Sequence, residues 1–169
     1  MKRHLDYLRG CRLRYSILEK SFPELKGKGS AEIVRMNIKR DLKDEALSLL
    51  WYIKAHERFF DSFCDRQQRA ERLSGHYLSR EKFLYNLFLE AKEREAGFLF
   101  IYLDKYSIPR YSFSTVNDGA FIIYEPILAV DLYEHAYFND YGFKRDRYLR
   151  SALEYLDLER LNTTLDKKK

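Results

Sequence analysis

The chain has 169 residues, and its 46% hydrophobic and 16% aromatic content is enough for a packed core and too high for a disordered chain. Its net charge is +5, but 31 basic residues are interspersed with 26 acidic ones, so the sequence is compatible with nucleic-acid binding without requiring it. Its two cysteines are too few for a disulfide framework, and no apolar stretch reaches the roughly 18 residues of a membrane span. Because the N-terminus is polar, we expect a cytoplasmic protein, or one of an organelle matrix if a transit peptide has been removed.

The N-terminal third predicts two helices. Residues 3–22 place apolar and aromatic side chains three and four positions apart, and Pro23 ends this helix. A second helical stretch covers 31–63, with Ser30 as its N-cap, and it is long enough to need a kink or a break. His56 has apolar or aromatic neighbours one turn before and one turn after it. Its ring should therefore face inward, either as a core residue with one hydrogen bond or as a metal ligand.

The rest of the chain predicts a helix, three strands and a final helix. Residues 65–78 are polar and predict a loop, and Ser79 is a candidate N-cap for a helix over 80–96 that Gly97 closes. Aromatic and β-branched runs separated by turn signals then predict an antiparallel meander; its strands are 98–103, 110–116 and 120–130. A last helix is predicted over 146–162.

These elements define an α+β fold with segregated helices and an antiparallel sheet. We expect the following organisation: an N-terminal long-helix hairpin over 1–64, the loop 65–78, a C-terminal α/β domain over 79–162 and a basic tail over 163–169.

Asp131 and His135 are four residues apart, where an apolar run meets a helical stretch. That spacing alone is more typical of a helix start with a nearby histidine than of a metal site. The surrounding run, Pro126 to Phe138, however resembles the D-x-W-E-H-A-Y-Y signature of the iron/manganese superoxide dismutase family. Upstream, residues 114–117 resemble the S-T-x-N strand end of that family, and the segment that begins at His56 resembles its H-x-x-F-W. The resemblance covers roughly residues 7–161.

The resemblance implies an Fe or Mn ion held by three histidines and one aspartate, with superoxide as the substrate. By position, His56, Asp131 and His135 match three of these four ligands.

The fourth ligand is left open. The first helix of the family carries its ligand histidine eight residues before a tyrosine, and if Tyr15 is that tyrosine, Tyr7 stands at the histidine position. His4 lies three residues earlier on the same helical face. Three possibilities follow: Tyr7 binds as a phenolate, His4 substitutes for it, or the site is a three-ligand remnant.

The resemblance also implies roles around the ligands. Tyr15 and Tyr137 match the gate and proton-relay tyrosines, and Cys11 stands where the family has a histidine linked to such a tyrosine. Asp118 falls where manganese members place a glutamine that hydrogen-bonds the solvent on the metal, and Tyr52 falls where iron members place theirs. An ionised aspartate can only accept hydrogen bonds and would stabilise the oxidised metal.

Glu134 implies a homodimer, because the equivalent glutamate of the family reaches the ligand histidine of the other subunit. Glu134 and His135 would then form a double bridge across a two-fold axis. Three functions remain open. One is a divergent metal-dependent superoxide dismutase. Another is a catalytically impaired member kept as a structural or binding subunit, for example on a ribosome, as other members of this fold are in mitochondria. The third is a different iron chemistry on two histidines and one carboxylate.

Overall fold

The computed structural model describes residues 2–64, 79–116 and 126–166. Its elements, in chain order, are α1 (Lys2–Ser21), a 3₁₀ turn (Pro23–Leu25), α2 (Ser30–Arg35), α3 (Arg40–Asp61), α4 (Arg80–Lys92), β1 (Phe98–Leu103), β2 (Pro109–Ser114), β3 (Leu128–Asp131), α5 (Glu134–Tyr141), α6 (Arg145–Glu154) and α7 (Glu159–Asp166). The predicted loop 65–78 and the first part of the predicted third strand lie outside the described residues. Within the described residues, no helix is both long and apolar enough to cross a membrane.

The predicted break in the second helical stretch is confirmed, since residues 36–39 separate α2 from α3. The predicted N-cap was wrong by one residue: Gly29 is the N-cap and Ser30 is the first helical residue. The Glu32 side chain explains the difference, because its carboxylate accepts a hydrogen bond from the Gly29 backbone N–H at 3.0 Å.

The helix after the loop begins as predicted, with the Ser79 hydroxyl accepting a hydrogen bond from the Lys82 backbone N–H at 3.1 Å. It ends at Lys92 instead of residue 96. The Arg145 guanidinium donates to the Arg94 carbonyl at 2.6 Å and to carbonyls of the last turn of α4, which satisfies backbone groups that would otherwise need water. The predicted last helix is divided into α6 and α7, and α7 extends to Asp166, into the stretch predicted as a tail.

The sheet is three-stranded and antiparallel as predicted, but the meander was wrong, because the strand order is β2-β1-β3. Five of the six β1 residues are buried, whereas only two of the six β2 residues are. A strand buried on both faces belongs at the centre of a sheet, so β3 pairs with the other edge of β1 instead of following β2. Phe98 consequently pairs with Asp131, which fixes the end of β3.

The helical hairpin packs on the sheet through an aromatic cluster. Trp51 of α3 contacts Phe98 of β1 edge to face, with ring centroids 5.4 Å apart. Ser62 links the same elements, because its buried hydroxyl accepts from the Ala129 N–H of β3 at 2.7 Å and donates to the Arg58 carbonyl at 2.6 Å. The end of α3 is thereby held against the first half of β3.

Candidate metal centre

Four side chains from four elements converge where α1, α3 and the sheet meet. His4 lies in the first turn of α1, His56 in α3, Asp131 at the end of β3, and His135 in the first turn of α5. The turn from β3 into α5 is tight because the Tyr133 backbone N–H donates to Asp131 Oδ1 at 2.8 Å. This hydrogen bond leaves the second carboxylate oxygen, Oδ2, for the three histidines.

The distances within this cluster are those of a ligand set. Asp131 Oδ2 lies 2.8 Å from His4 Nε2, 3.0 Å from His135 Nε2 and 3.6 Å from His56 Nε2. The Nε2 atoms of His56 and His135 are 3.3 Å apart, and one donor atom from each residue lies within 4.8 Å of all the others. Ligand bonds of about 2.0 to 2.2 Å place neighbouring donors about 3 to 4 Å apart around one ion. The cluster therefore has the dimensions of a four-ligand site.

Burial and hydrogen bonding prepare the donors for a cation. His56 is fully buried, and its Nδ1 donates to the Tyr52 carbonyl at 2.7 Å, so its Nε2 lone pair faces the cluster. Burial lowers the pKa of His56 to about 4, although Asp131 acts in the opposite direction, and the imidazole is neutral at pH 7. Burial also disfavours ionisation of Asp131, but hydrogen bonds from His135 and His4 outweigh it and hold the pKa of that carboxyl below its usual value. A buried negative charge surrounded by imidazole nitrogens is complementary to a metal ion.

The geometry favours His4 as the fourth ligand. His4 is 3% exposed, and its ring packs against Phe59 with centroids 4.5 Å apart, whereas Tyr7 is 39% exposed. Burial, together with the Cys11 thiol, raises the pKa of Tyr7 to about 12, which disfavours a phenolate. A three-ligand remnant is disfavoured as well, because a fourth donor is in place.

Tyr15 and Tyr137 have other neighbours. Tyr15 is eleven residues beyond His4, roughly 16 Å further along α1, and its hydroxyl donates to the Lys28 carbonyl at 3.4 Å, a position that does not support the gate role. Tyr137 stacks on Tyr148 with centroids 5.4 Å apart, and the Tyr148 hydroxyl donates to the Asp131 backbone carbonyl at 2.6 Å. The relay role of Tyr137 stays a prediction.

Cys11 and Tyr52 lie in the helical hairpin beside the cluster. Cys11 is buried in α1, one turn beyond Tyr7, and burial raises the pKa of its thiol. The Tyr52 ring lies 6.4 Å from the rings of both His56 and Tyr133, and the Tyr133 ring is nearly parallel to that of His135 at a centroid distance of 5.6 Å. Tyr133 was not predicted as a site residue, although it occupies the tryptophan position of the D-x-W-E-H signature.

The remaining candidates are Glu134 and Asp118. Glu134 is exposed in the first turn of α5, beside His135, which is 31% exposed. Asp118 lies outside the described residues.

A helical hairpin packed on an α/β unit, with three histidines and one aspartate between them, defines a metalloprotein whose donor set suits a redox-active first-row metal. The family model for the C-terminal domain of iron/manganese superoxide dismutases matches residues 65–164. The chain belongs to the iron/manganese superoxide dismutase family. A comparison with curated proteins finds no match. His4 and His56 lie outside the matched range, so their place beside Asp131 and His135 comes from the structure.

The lowered pKa of His56 predicts acid sensitivity of the metal-free protein. In the unfolded chain His56 takes up a proton as the pH falls below about 6.5, whereas in the folded chain it does so only near pH 4. Between these values the unfolded state binds more protons, so the free energy of unfolding decreases as the pH falls, by about 3 kcal/mol in total. We expect urea midpoints to decrease from pH 7 to pH 4.5, and His56→Gln to flatten this dependence. An unchanged pH dependence in the variant would contradict the prediction.

Proposed function

We propose that this protein is a metal-dependent superoxide dismutase that binds one Fe or Mn ion through His4, His56, Asp131 and His135. The observation that carries the proposal is the convergence of four donor atoms within 4.8 Å, three of them on residues that are almost fully buried. When bound, the ion would supply one-electron redox chemistry, in which one superoxide is oxidised to oxygen and a second, with two protons taken from solvent, is reduced to hydrogen peroxide. Family membership supports the same assignment.

The protein contributes a rigid and mostly dry site. The Tyr52 carbonyl orients His56, and the Tyr133 backbone N–H orients Asp131, so two of the four donors are held by the backbone. Phe59 packs against His4 and excludes water from the inner side. His135 is the most exposed of the four, which makes its side of the cluster the expected path for a small anion.

The direct test is metal analysis of the purified protein, followed by a superoxide assay of separately Fe-loaded and Mn-loaded samples. We expect about one ion per chain and activity with at least one metal. Protein that takes up neither metal and remains inactive after reconstitution would exclude the dismutase. Stoichiometric metal without activity would favour the second candidate function, a structural or binding subunit.

We also propose that the protein is a homodimer that pairs the surfaces around Glu134 and His135. The two side chains are neighbours on the exposed first turn of α5. Two large apolar side chains near the other end of α5 are also exposed, Phe138 at 41% and Phe143 at 94%, and their rings contact each other.

Light scattering at micromolar concentration should give the mass of a dimer, and Glu134→Ala should shift the protein toward monomer. The matched control is Glu81→Ala, which removes an exposed glutamate from the first turn of α4 instead. A monomeric unmodified protein would contradict the proposal.

A further inference from the structure

Tyr7 lies across the outer side of the candidate metal centre. Its ring is nearly parallel to that of His135, at an angle of 20° with centroids 4.8 Å apart, and it lies 5.1 Å from the ring of His56. It is 39% exposed, whereas His56 is fully buried. Tyr7 therefore stands between solvent and two of the four candidate ligands.

The Tyr7 ring is held by neighbouring rings as well as by His135. Its ring meets that of Tyr52 edge to face, with centroids 6.0 Å apart. A ring in contact with Tyr52 and His56 cannot swing away from His135 without losing these contacts.

His135 is the ligand from which release of a bound ion would begin. Its side chain is 31% exposed, whereas those of His4, His56 and Asp131 are at most 3% exposed. Rotation of the His135 ring away from the cluster would have to displace the Tyr7 ring, which is the closer of two tyrosine rings that lie nearly parallel to it.

We infer that Tyr7 is a positioning residue that slows metal release by stacking on His135 and covering the open side of the centre. This inference rests on the metal-binding part of the proposed function and does not depend on superoxide turnover. This role of Tyr7 in metal retention requires its aromatic ring and not its hydroxyl group. Tyr7→Phe should therefore preserve retention, and Tyr7→Leu, which fills similar volume without stacking, should not.

The test measures the rate at which the Fe-loaded or Mn-loaded protein loses its ion to excess EDTA. We expect Tyr7→Leu and Tyr7→Ala to release metal roughly two- to ten-fold faster than the unmodified protein, the range that corresponds to loss of one aromatic pair. Tyr7→Phe should stay within about two-fold of the unmodified protein. Release at the unmodified rate in Tyr7→Leu, or equally fast release in Tyr7→Phe, would overturn the inference.

A second measurement uses the metal-free protein and does not depend on loading. Diethylpyrocarbonate labelling, read by mass spectrometry, should modify His135 faster in Tyr7→Leu than in Tyr7→Phe, while the fully buried His56 is labelled slowly in both. Equal labelling of His135 in the two variants would overturn the inference. If the protein binds metal without dismutating superoxide, the release rates still decide the role of Tyr7. If it binds no metal, both proposals fail.

Discussion

Replacing His4 with alanine is expected to remove the metal and, with it, the proposed superoxide dismutation. His4 Nε2 lies 2.8 Å from Asp131 Oδ2 and supplies one of the four donor atoms that converge among the described residues. Loss of a second-layer partner typically costs a metal site 10- to 100-fold in affinity, so loss of a direct ligand should cost more than about 100-fold. Metal content per chain and activity after reconstitution are the two measurements.

The matched control is Tyr7→Phe, which tests the other candidate for the fourth ligand in the same helix. It should keep about one ion per chain, and its Fe(III) absorption spectrum should match that of the unmodified protein, because no phenolate bond is lost. A second control, Leu13→Ala, removes an exposed side chain elsewhere in α1 and should leave metal content unchanged. A metal-free Tyr7→Phe together with a metal-loaded His4→Ala would contradict the assignment and restore Tyr7 as the ligand.

The C-terminal half of the site could be predicted from sequence because its geometry is local. Asp131 and His135 are four residues apart, joined by a turn that the Tyr133 N–H closes, so a short motif determines how they face each other. His56 could be placed facing inward because its neighbours in α3 are apolar. In both cases the spacing along one element determines the position in space.

The ligand in the first helix could not be predicted in the same way, because it depends on how α1 is shifted and rotated relative to α3. Counting back from Tyr15 selected Tyr7, but three residues along a helix rotate a side chain by about 60° and shift it by about 4.5 Å. A usable signal was present in the spacing: His4, Leu8, Cys11 and Tyr15 follow one another at intervals of four, three and four, and all four are at most 9% exposed. Tyr7 lies beside this line.

The strand order also depends on contacts that sequence pattern does not encode. Three short β-rich runs in succession are compatible with a meander and with a central first strand. The difference is the two-sided burial of β1, which arises because α3 covers one face of the sheet while α4 and α6 cover the other. In the sequence, only the continuous apolar run from Phe98 to Leu103 indicated that both faces of β1 are buried.

Replacing Asp131 with alanine is expected to have the second large effect, on stability as well as on metal binding. The carboxylate is fully buried and accepts hydrogen bonds from the Tyr133 backbone N–H and from the His4 and His135 rings. Alanine leaves these groups buried without their acceptor. Breaking a buried charged network in this way costs about 3 to 5 kcal/mol, which is a large fraction of the stability of a typical domain.

Asp131→Asn separates the two effects. Asparagine retains the size of the side chain and one oxygen for the Tyr133 N–H, so it should lose less stability than alanine does. Its amide group, however, places N–H donors where the cluster needs a negative oxygen, and metal should be absent. Urea denaturation of the metal-free proteins measures the effect on stability, and the metal content of the loaded proteins measures the effect on metal binding.

Asp61→Ala, at the exposed end of α3, is the matched control and should change stability by less than about 0.5 kcal/mol. Metal bound at full stoichiometry by Asp131→Asn would show that the histidines alone hold the ion. If Asp131→Ala unfolds at the same urea midpoint as the unmodified protein, desolvation of the buried carboxylate costs as much free energy as its hydrogen bonds contribute. In that case its retention in this chain would be explained by metal binding and not by stability.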